Sequence, residues 1–149
     1  MGIRIVLDGA AESYLLLDEI LDSEVPVILH PTMARHYGEL ENASFETAAI
    51  LKKAFIPFAL QSGYESYVPK TRVVLFEAAL SAAHGLALDE ALEAITIDAA
   101  RILGVDDRVG SLESGKDADL VMFDGDPFEY GSHVTGVIID GELVESGNN

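Results

Sequence analysis

Apolar residues in the first part of the chain fall into two recurring patterns. Short apolar runs at residues 4–7, 26–29 and 56–60 alternate with longer stretches in which apolar positions recur at helical spacing. The first helical stretch is predicted over residues 12–21, with Tyr14, Leu17, Ile20 and Leu21 on one face. The second is predicted over residues 45–54, with Ser44 as its N-cap and Thr47 as its third residue. A third runs over residues 71–84 and is closed by Gly85. The strand candidates are apolar on both faces, as parallel strands covered by helices are. Strand and helix alternate, which predicts a parallel α/β arrangement. On this pattern alone it is either part of a barrel or part of an open doubly wound sheet.

Two shorter helices follow, over residues 89–95 and 99–103, headed by Asp89 and Asp98 and ended by Gly104. From Val109 the pattern changes, and Gly110, Gly115, Gly125, Gly131, Gly136 and Gly141 punctuate short strand candidates at 120–123 and 134–139. Asp140-Gly141, flanked by Val137-Ile138-Ile139 and Leu143-Val144, is a strong two-residue hairpin signal. The chain therefore divides near Val105 into an α/β part, residues 1–104, and a β part, residues 105–149. Residues 145–149 are expected to fray.

Composition narrows this picture. At 149 residues the chain is too short for a complete (β/α)8 barrel, which typically needs roughly 250. Apolar residues make up 49 %, a globular composition. No apolar run is long enough for a membrane span, and the first eight residues, interrupted by Arg4, do not read as a signal peptide. A soluble protein, cytoplasmic by default, is expected. The net charge of −17 argues against nucleic acid and anionic membranes as partners. The absence of cysteine excludes disulfides, thiolate catalysis and thiolate metal sites, and leaves the redox compartment open.

In parallel α/β folds, function collects beyond the C-terminal ends of the strands. Those ends carry Asp8, then His30, then Gln61 and Ser62, with Tyr64 and Glu65 in the next loop. Carboxylate and imidazole suit a divalent metal or general acid–base work. Plainer readings stand beside these. Asp8 before Gly9 closes a turn as Asp-Gly often does, His30 before Pro31 is a hydrogen-bonded loop residue, and Glu65 is solvated. Lys70 and Arg72, rare cations in an acidic chain, are placed to hold a substrate carboxylate or to pair locally with Glu65 or Glu77. His36, His84 and His133 form no paired ligand motif with His30. His84 and His133 read as structural or surface residues.

The tail carries a family resemblance. Residues 94–104 (Ala94-Ile95-Thr96-Ile97-Asp98-Ala99-Ala100-Arg101-Ile102-Leu103-Gly104) are followed by Gly110-Ser111-Leu112-Glu113-Ser114-Gly115-Lys116-Asp117-Ala118-Asp119-Leu120-Val121. Together they resemble the C-terminal signature of the amidohydrolase superfamily, closest to its imidazolonepropionase-like branch. Asp124-Gly125-Asp126-Pro127-Phe128 and the hairpin at Asp140-Gly141 also match. The resemblance implies the last three βα units of a partial TIM-type (β/α) barrel followed by a small C-terminal β-sandwich portion, about the last third of a typical member.

It also implies a metal-dependent hydrolase of carbon–nitrogen bonds in small molecules, with a divalent metal, zinc first, activating water. The family's ligands are an HxH pair on the first strand, a lysine or glutamate on the fourth, histidines on the fifth and sixth, and an aspartate on the eighth. Asp8 occupies the sixth-strand histidine position. The eighth-strand aspartate position falls at Ser62-Gly63, with Glu65 two residues on. The expected roles are catalysis by Asp8 and Glu65, and metal ligation by Asp8 and His30. Substrate binding falls to His30, Gln61, Ser62, Tyr64, Lys70 and Arg72. The chain alone is expected to be inactive and to associate as a homo-oligomer or with a missing N-terminal part. The alternative is a non-catalytic binding or interaction domain with a degenerate metal site.

Overall fold

A computed structural model describes residues 3–29, 38–65, 68–69 and 73–144. Three short strands, β1 (Leu7–Asp8), β2 (Val27–Leu29) and β3 (Phe58–Leu60), form a parallel sheet in the order β1-β2-β3. The register sets Leu7 beside Val27 and Val27 beside Phe58. Asp8 stands level with Ile28, and Ile28 with Ala59. Successive side chains along a strand point to opposite faces, so Leu7, Val27, Leu29, Phe58 and Leu60 share one face. Asp8, Ile28, Ala59 and Gln61 share the other.

The helices cover the first face. They are α1 (Leu17–Ser23), α2 (Thr47–Lys53), α3 (Val74–Ala83) and α4 (Leu88–Glu93), while α5 (Ile97–Leu103) packs beside β3. Ile20 of α1, Ala48, Ala49 and Leu51 of α2, Ala78 of α3 and Ala91 of α4 join Val27, Leu29, Phe58 and Leu60 in one buried cluster. The small residues on α2, α3 and α4 let these helices approach the sheet closely. Full burial of Leu51 and Val27 (0 % exposed) removes their side chains from water, and each such side chain contributes roughly 1.5–3 kcal/mol.

The first expected helix, 12–21, is broken. A 3-10 turn at Ser13–Leu15 precedes α1, and Leu16 between them leaves helical geometry (φ −129°, ψ 40°). Two contacts from outside the segment explain this. Glu12 Oε1 accepts hydrogen bonds from Asn42 N and Nδ2 (3.1 and 3.0 Å), and the Tyr14 hydroxyl donates to Asn42 O (2.8 Å). They hold the turn to the 38–46 segment, and the break lets Ile20 turn inward. Regular α2 starts at Thr47 rather than Phe45, with Glu46 at its N-cap position and no side-chain capping bond, so the expected Ser44 cap does not form. Ser44 instead closes the turn before the helix, its Oγ accepting from Glu46 N (3.2 Å) and its carbonyl from Thr47 N (3.3 Å). The loop after β3 holds an unexpected two-residue antiparallel ladder, β4 (Tyr64–Glu65) with β5 (Val68–Pro69). At the ends of the next two helices, Ala87 precedes α4 and Thr96 precedes α5, so Asp89 and Asp98 sit in first turns instead of capping.

The tail forms a separate antiparallel sheet of β6 (Leu120–Phe123), β7 (Val134–Ile139) and β8 (Glu142–Val144). Asp140 (φ 51°) and Gly141 (φ 80°) both adopt the left-handed conformation, the signature of the expected type I′ hairpin. Phe128 reaches from the tail to pack against the α/β core. At the other end of the chain, Arg4 Nη2 donates to the carbonyls of Arg101 and Ile102 (3.0 and 2.8 Å), closing off the C-terminus of α5. No helix among the described residues is long and apolar enough to cross a membrane.

Candidate functional site

The C-terminal ends of the parallel strands lie together, as the register requires. Asp8 closes β1. Gly9, at φ 75°, then turns the chain away while its N–H stays bonded to Ile28 O (3.0 Å). Gln61 follows β3, and its position two residues beyond Ala59 puts it on the same face as Asp8. Its Nε2 donates to Asp8 Oδ1 at 2.8 Å. This bond joins the two outer strands across the end of the middle one. Residues 53 positions apart in sequence are thereby fixed to one another on the sheet face opposite the helix-packed cluster, where Asp8 is exposed and Ala59 is buried.

Ser62 and Gly63 are half-buried, and Gly63 takes φ 72° to lead the backbone into β4. The backbones of Tyr64 and Glu65 form that strand. The side chains of Tyr64 and Glu65 fall outside the described part, as do His30, His36, Lys70 and Arg72 altogether. Of the expected site residues, the structure thus brings Asp8 and Gln61 into direct contact and places Ser62 next to Gln61.

Glu77, in the first turn of α3, is 2 % exposed and was not singled out as a functional residue from sequence. Its signal is recognisable afterwards, because it shares a helical face with Ala78 and Ser81, which are also buried. The remaining histidines take structural roles. His84 Nδ1 lies 2.8 Å from Leu80 O, and its ring packs on Phe45 at 4.9 Å. His133 stands on the tail, where its backbone N–H donates to Asp124 Oδ1 (2.7 Å).

A zinc or similar centre needs three or four side-chain donors converging on one point. Among the described residues no group of three His, Cys, Asp or Glu converges in this way. Asp8 is a single carboxylate, already accepting an amide hydrogen bond, and Ser62-Gly63 offers one hydroxyl and backbone. The described residues do not fit a resident metal by themselves. What they supply is an exposed carboxylate oriented by a neutral amide donor, with acceptor capacity left for a further hydrogen bond.

The model of the amidohydrolase family matches residues 33–144. The imidazolonepropionase of Thermoplasma volcanium is 47 % identical over 62 residues, covering 38 % of this chain and 15 % of that protein. The crystal structure of an amidohydrolase from Thermotoga maritima MSB8 superposes with a TM-score of 0.86 at 33 % identity, covering 94 % of this chain and 36 % of that one. An adenosine deaminase from Xanthomonas campestris with bound zinc shares the fold, with a TM-score of 0.69 at 24 % identity over 94 % of this chain and 36 % of that one. The chain therefore spans about a third or less of the length of these relatives.

Proposed function

This chain belongs to the amidohydrolase family, and from that membership we propose that it is the C-terminal portion of a hydrolase of carbon–nitrogen bonds in small molecules, inactive by itself. The observation that carries the reading is the pairing of Asp8 with Gln61 on the face of a parallel sheet opposite its helix-packed cluster. In a (β/α) barrel that face points to the interior, and its C-terminal rim holds the chemistry. A doubly wound sheet buries both faces under helices. Here the buried residues of four helices gather with Val27, Leu29, Phe58 and Leu60 on one face, which supports a partial barrel of three βα units. The tail, beginning near Val105 and carrying the β6-β7-β8 sheet, is then part of a small sandwich that residues outside this match would complete.

In this reading a divalent metal, zinc first, would supply water activation and polarisation of the substrate. Its ligands come mainly from outside the described residues. Asp8 contributes a carboxylate at a position where the family carries histidine. Gln61, Ser62, Tyr64, Lys70 and Arg72 border the substrate, His30 is a second ligand or substrate contact, and Glu65 is the remaining acid–base candidate. A non-catalytic binding domain with a degenerate metal site is the second reading. The amide hydrogen bond already made to Asp8 and the missing carboxylate at Ser62-Gly63 favour it.

The discriminating measurement is metal content and hydrolysis of a cyclic-amide and dipeptide panel. Both are taken for this chain alone and for the chain co-produced with the N-terminal two thirds of a family member. Stoichiometric metal and turnover only in the combined sample support the hydrolase, and Asp8→Ala then lowers both. Metal far below stoichiometry in both samples sinks the metallohydrolase reading and leaves the binding domain.

A further inference from the structure

Four helices in this chain end on a left-handed residue; α1 does so with polar Glu24 (φ 54°), and of the three that share the full two-bond ending one lacks glycine. In a Schellman ending the residue just past the helix turns left-handed, a conformation glycine adopts without penalty. At α3 that residue is Gly85 (φ 106°), with Leu86 N bonded to Ser81 O and Gly85 N to Ala82 O. At α5 it is Gly104 (φ 71°), with Val105 N bonded to Ala100 O and Gly104 N to Arg101 O. At α2 the same two bonds run from Ile56 N to Leu51 O and from Phe55 N to Lys52 O, each 3.1 Å. The left-handed residue there is Phe55, at φ 58°. A bulky aromatic in this region is a true outlier, and Phe55 recovers little by packing within its own chain, because it is 88 % exposed.

Beside Phe55 lies a groove of about 670 Å³. Its floor is apolar, formed by Ala49, Ile56, Phe58, Leu86 and Ile102. It opens at the N-terminal end of β3, the end of the sheet opposite Asp8 and Gln61. Both signs of charge stand along it. Lys52, Lys53 and Arg101, three of the nine cations in the sequence, face Glu90 and Asp98. Lys52 reaches Glu90 and Glu93 only at 3.8 and 3.7 Å, and Lys53 makes no ion pair with a described residue.

We propose that this face is a two-fold interface between copies of the chain, in which Phe55 of each copy enters the groove of the other. An aromatic knob and an apolar hole side by side on one surface are self-complementary about a two-fold axis, the arrangement an isologous dimer requires. A rim carrying both signs is self-complementary in the same sense. A −17 molecule would otherwise repel its own copy, and at this rim, where Arg101 pairs with Asp98 (2.8 Å) and Lys52 stands near Glu90 and Glu93, the local charge is close to balanced. A buried aromatic anchor with a charged rim is the usual composition of an interface centre. The strained backbone at Phe55 is then maintained by a role that glycine would not fill.

The chain contains no tryptophan, so Phe55→Trp installs a single fluorescent reporter at the knob. Sedimentation equilibrium and emission spectra are recorded on the full chain over a concentration series. The expected result is a monomer–dimer equilibrium in which the emission shifts to the blue in step with the mass. Phe55→Gly is expected to weaken dimerisation at least tenfold while raising the thermal midpoint by a few degrees, because it relieves the left-handed strain. Lys53→Glu is expected to weaken it less. Any of four outcomes overturns the proposal: a parent that stays monomeric at its highest soluble concentration, a Phe55→Gly variant that associates as tightly as the parent, oligomers whose tryptophan emission remains that of an exposed indole, or blue emission from a monomer, which would mean a small molecule or the chain itself fills the groove.

Discussion

The two three-stranded sheets of this chain are covered to opposite extents. In the parallel sheet, β3 is buried throughout and β2 at both ends, beneath helices whose small residues permit close approach. In the antiparallel sheet only Gly136 of β7 is buried, and β8 is exposed along its whole length. Neighbouring strand residues point to opposite faces, and here neighbours such as Val121 with Met122, and Leu143 with Val144, are all apolar and exposed. The tail sheet therefore presents apolar surface on both sides. A sheet held by its own ladder and a tight hairpin can persist in that state, but its composition is that of a layer meant to be covered. The parallel sheet is self-sufficient on its helix face, and the tail depends on what packs against it.

The comparison is broken most directly by matched truncations. Leu51→Ala removes a side chain that is 0 % exposed and leaves a cavity in the shared core, with an expected loss of about 2–5 kcal/mol in urea unfolding. Leu143→Ala in the tail, at 62 % exposure, is expected to change stability by less than about 0.5 kcal/mol. Comparable losses at both positions would show that the tail sheet carries a cover in solution, as the sandwich reading requires of the longer protein.

Gly110 is the joint between the regions, and its effect falls between these two. Its φ is 96°, and a Cβ there would stand 2.8 Å from Ala100 Cβ and 2.9 Å from Ile97 Cα. The second neighbour is helix backbone and cannot swing aside. Gly110→Ala is expected to cost about 1–3 kcal/mol through overpacking and left-handed strain, read by the same urea titration. Amide exchange would distinguish where the strain is relieved. If tail amides lose protection while Val27 and Phe58 keep theirs, the tail detaches as a unit. Simultaneous loss would mean that the two regions unfold together.

How much of this was legible in the sequence varies with the range of the interaction. The runs at 26–29 and 56–60 and the Asp140-Gly141 hairpin were readable because short-range patterning and turn chemistry decide them. The break at Leu16 was not, because the contacts that hold it come from Asn42, 30 residues beyond Glu12. The β4–β5 ladder follows a stretch with ordinary loop composition. Phe55 carries no helix-ending signal at all, since the conformation it adopts is one that glycine advertises and phenylalanine hides. The candidate site shows the same division. Asp8, Gln61 and Ser62 could be found by asking which residues end strands, whereas the bond between Asp8 and Gln61 depends on the register of three strands and on which face each residue takes.

The smallest effect, and the one that most sharply separates the regions, concerns pH. Two tail carboxylates titrate below their ordinary range. The Asp124 carboxylate is lowered first by the His133 backbone N–H, and Glu113 is lowered first by the Lys116 ammonium and then by the Ser111 hydroxyl. A carboxyl group whose pKa is lower folded than unfolded stabilises the fold above its unfolded pKa, near 4 for these residue types. That contribution is lost as pH falls through the lower, folded value. The tail hairpins should therefore loosen on acidification below about pH 4, with protection of the β6 and β7 amides falling as the carboxylates take up protons. The change is small, because both groups are exposed and screened by salt. Asp124→Asn keeps an oxygen to accept from His133 but no longer titrates, so it should flatten the acid dependence of the β6 and β7 amides and leave that of Val27 and Phe58 unaltered. An unchanged slope in the variant would mean that the acid response of the tail comes from elsewhere, and that the two sheets are coupled more tightly than their burial implies.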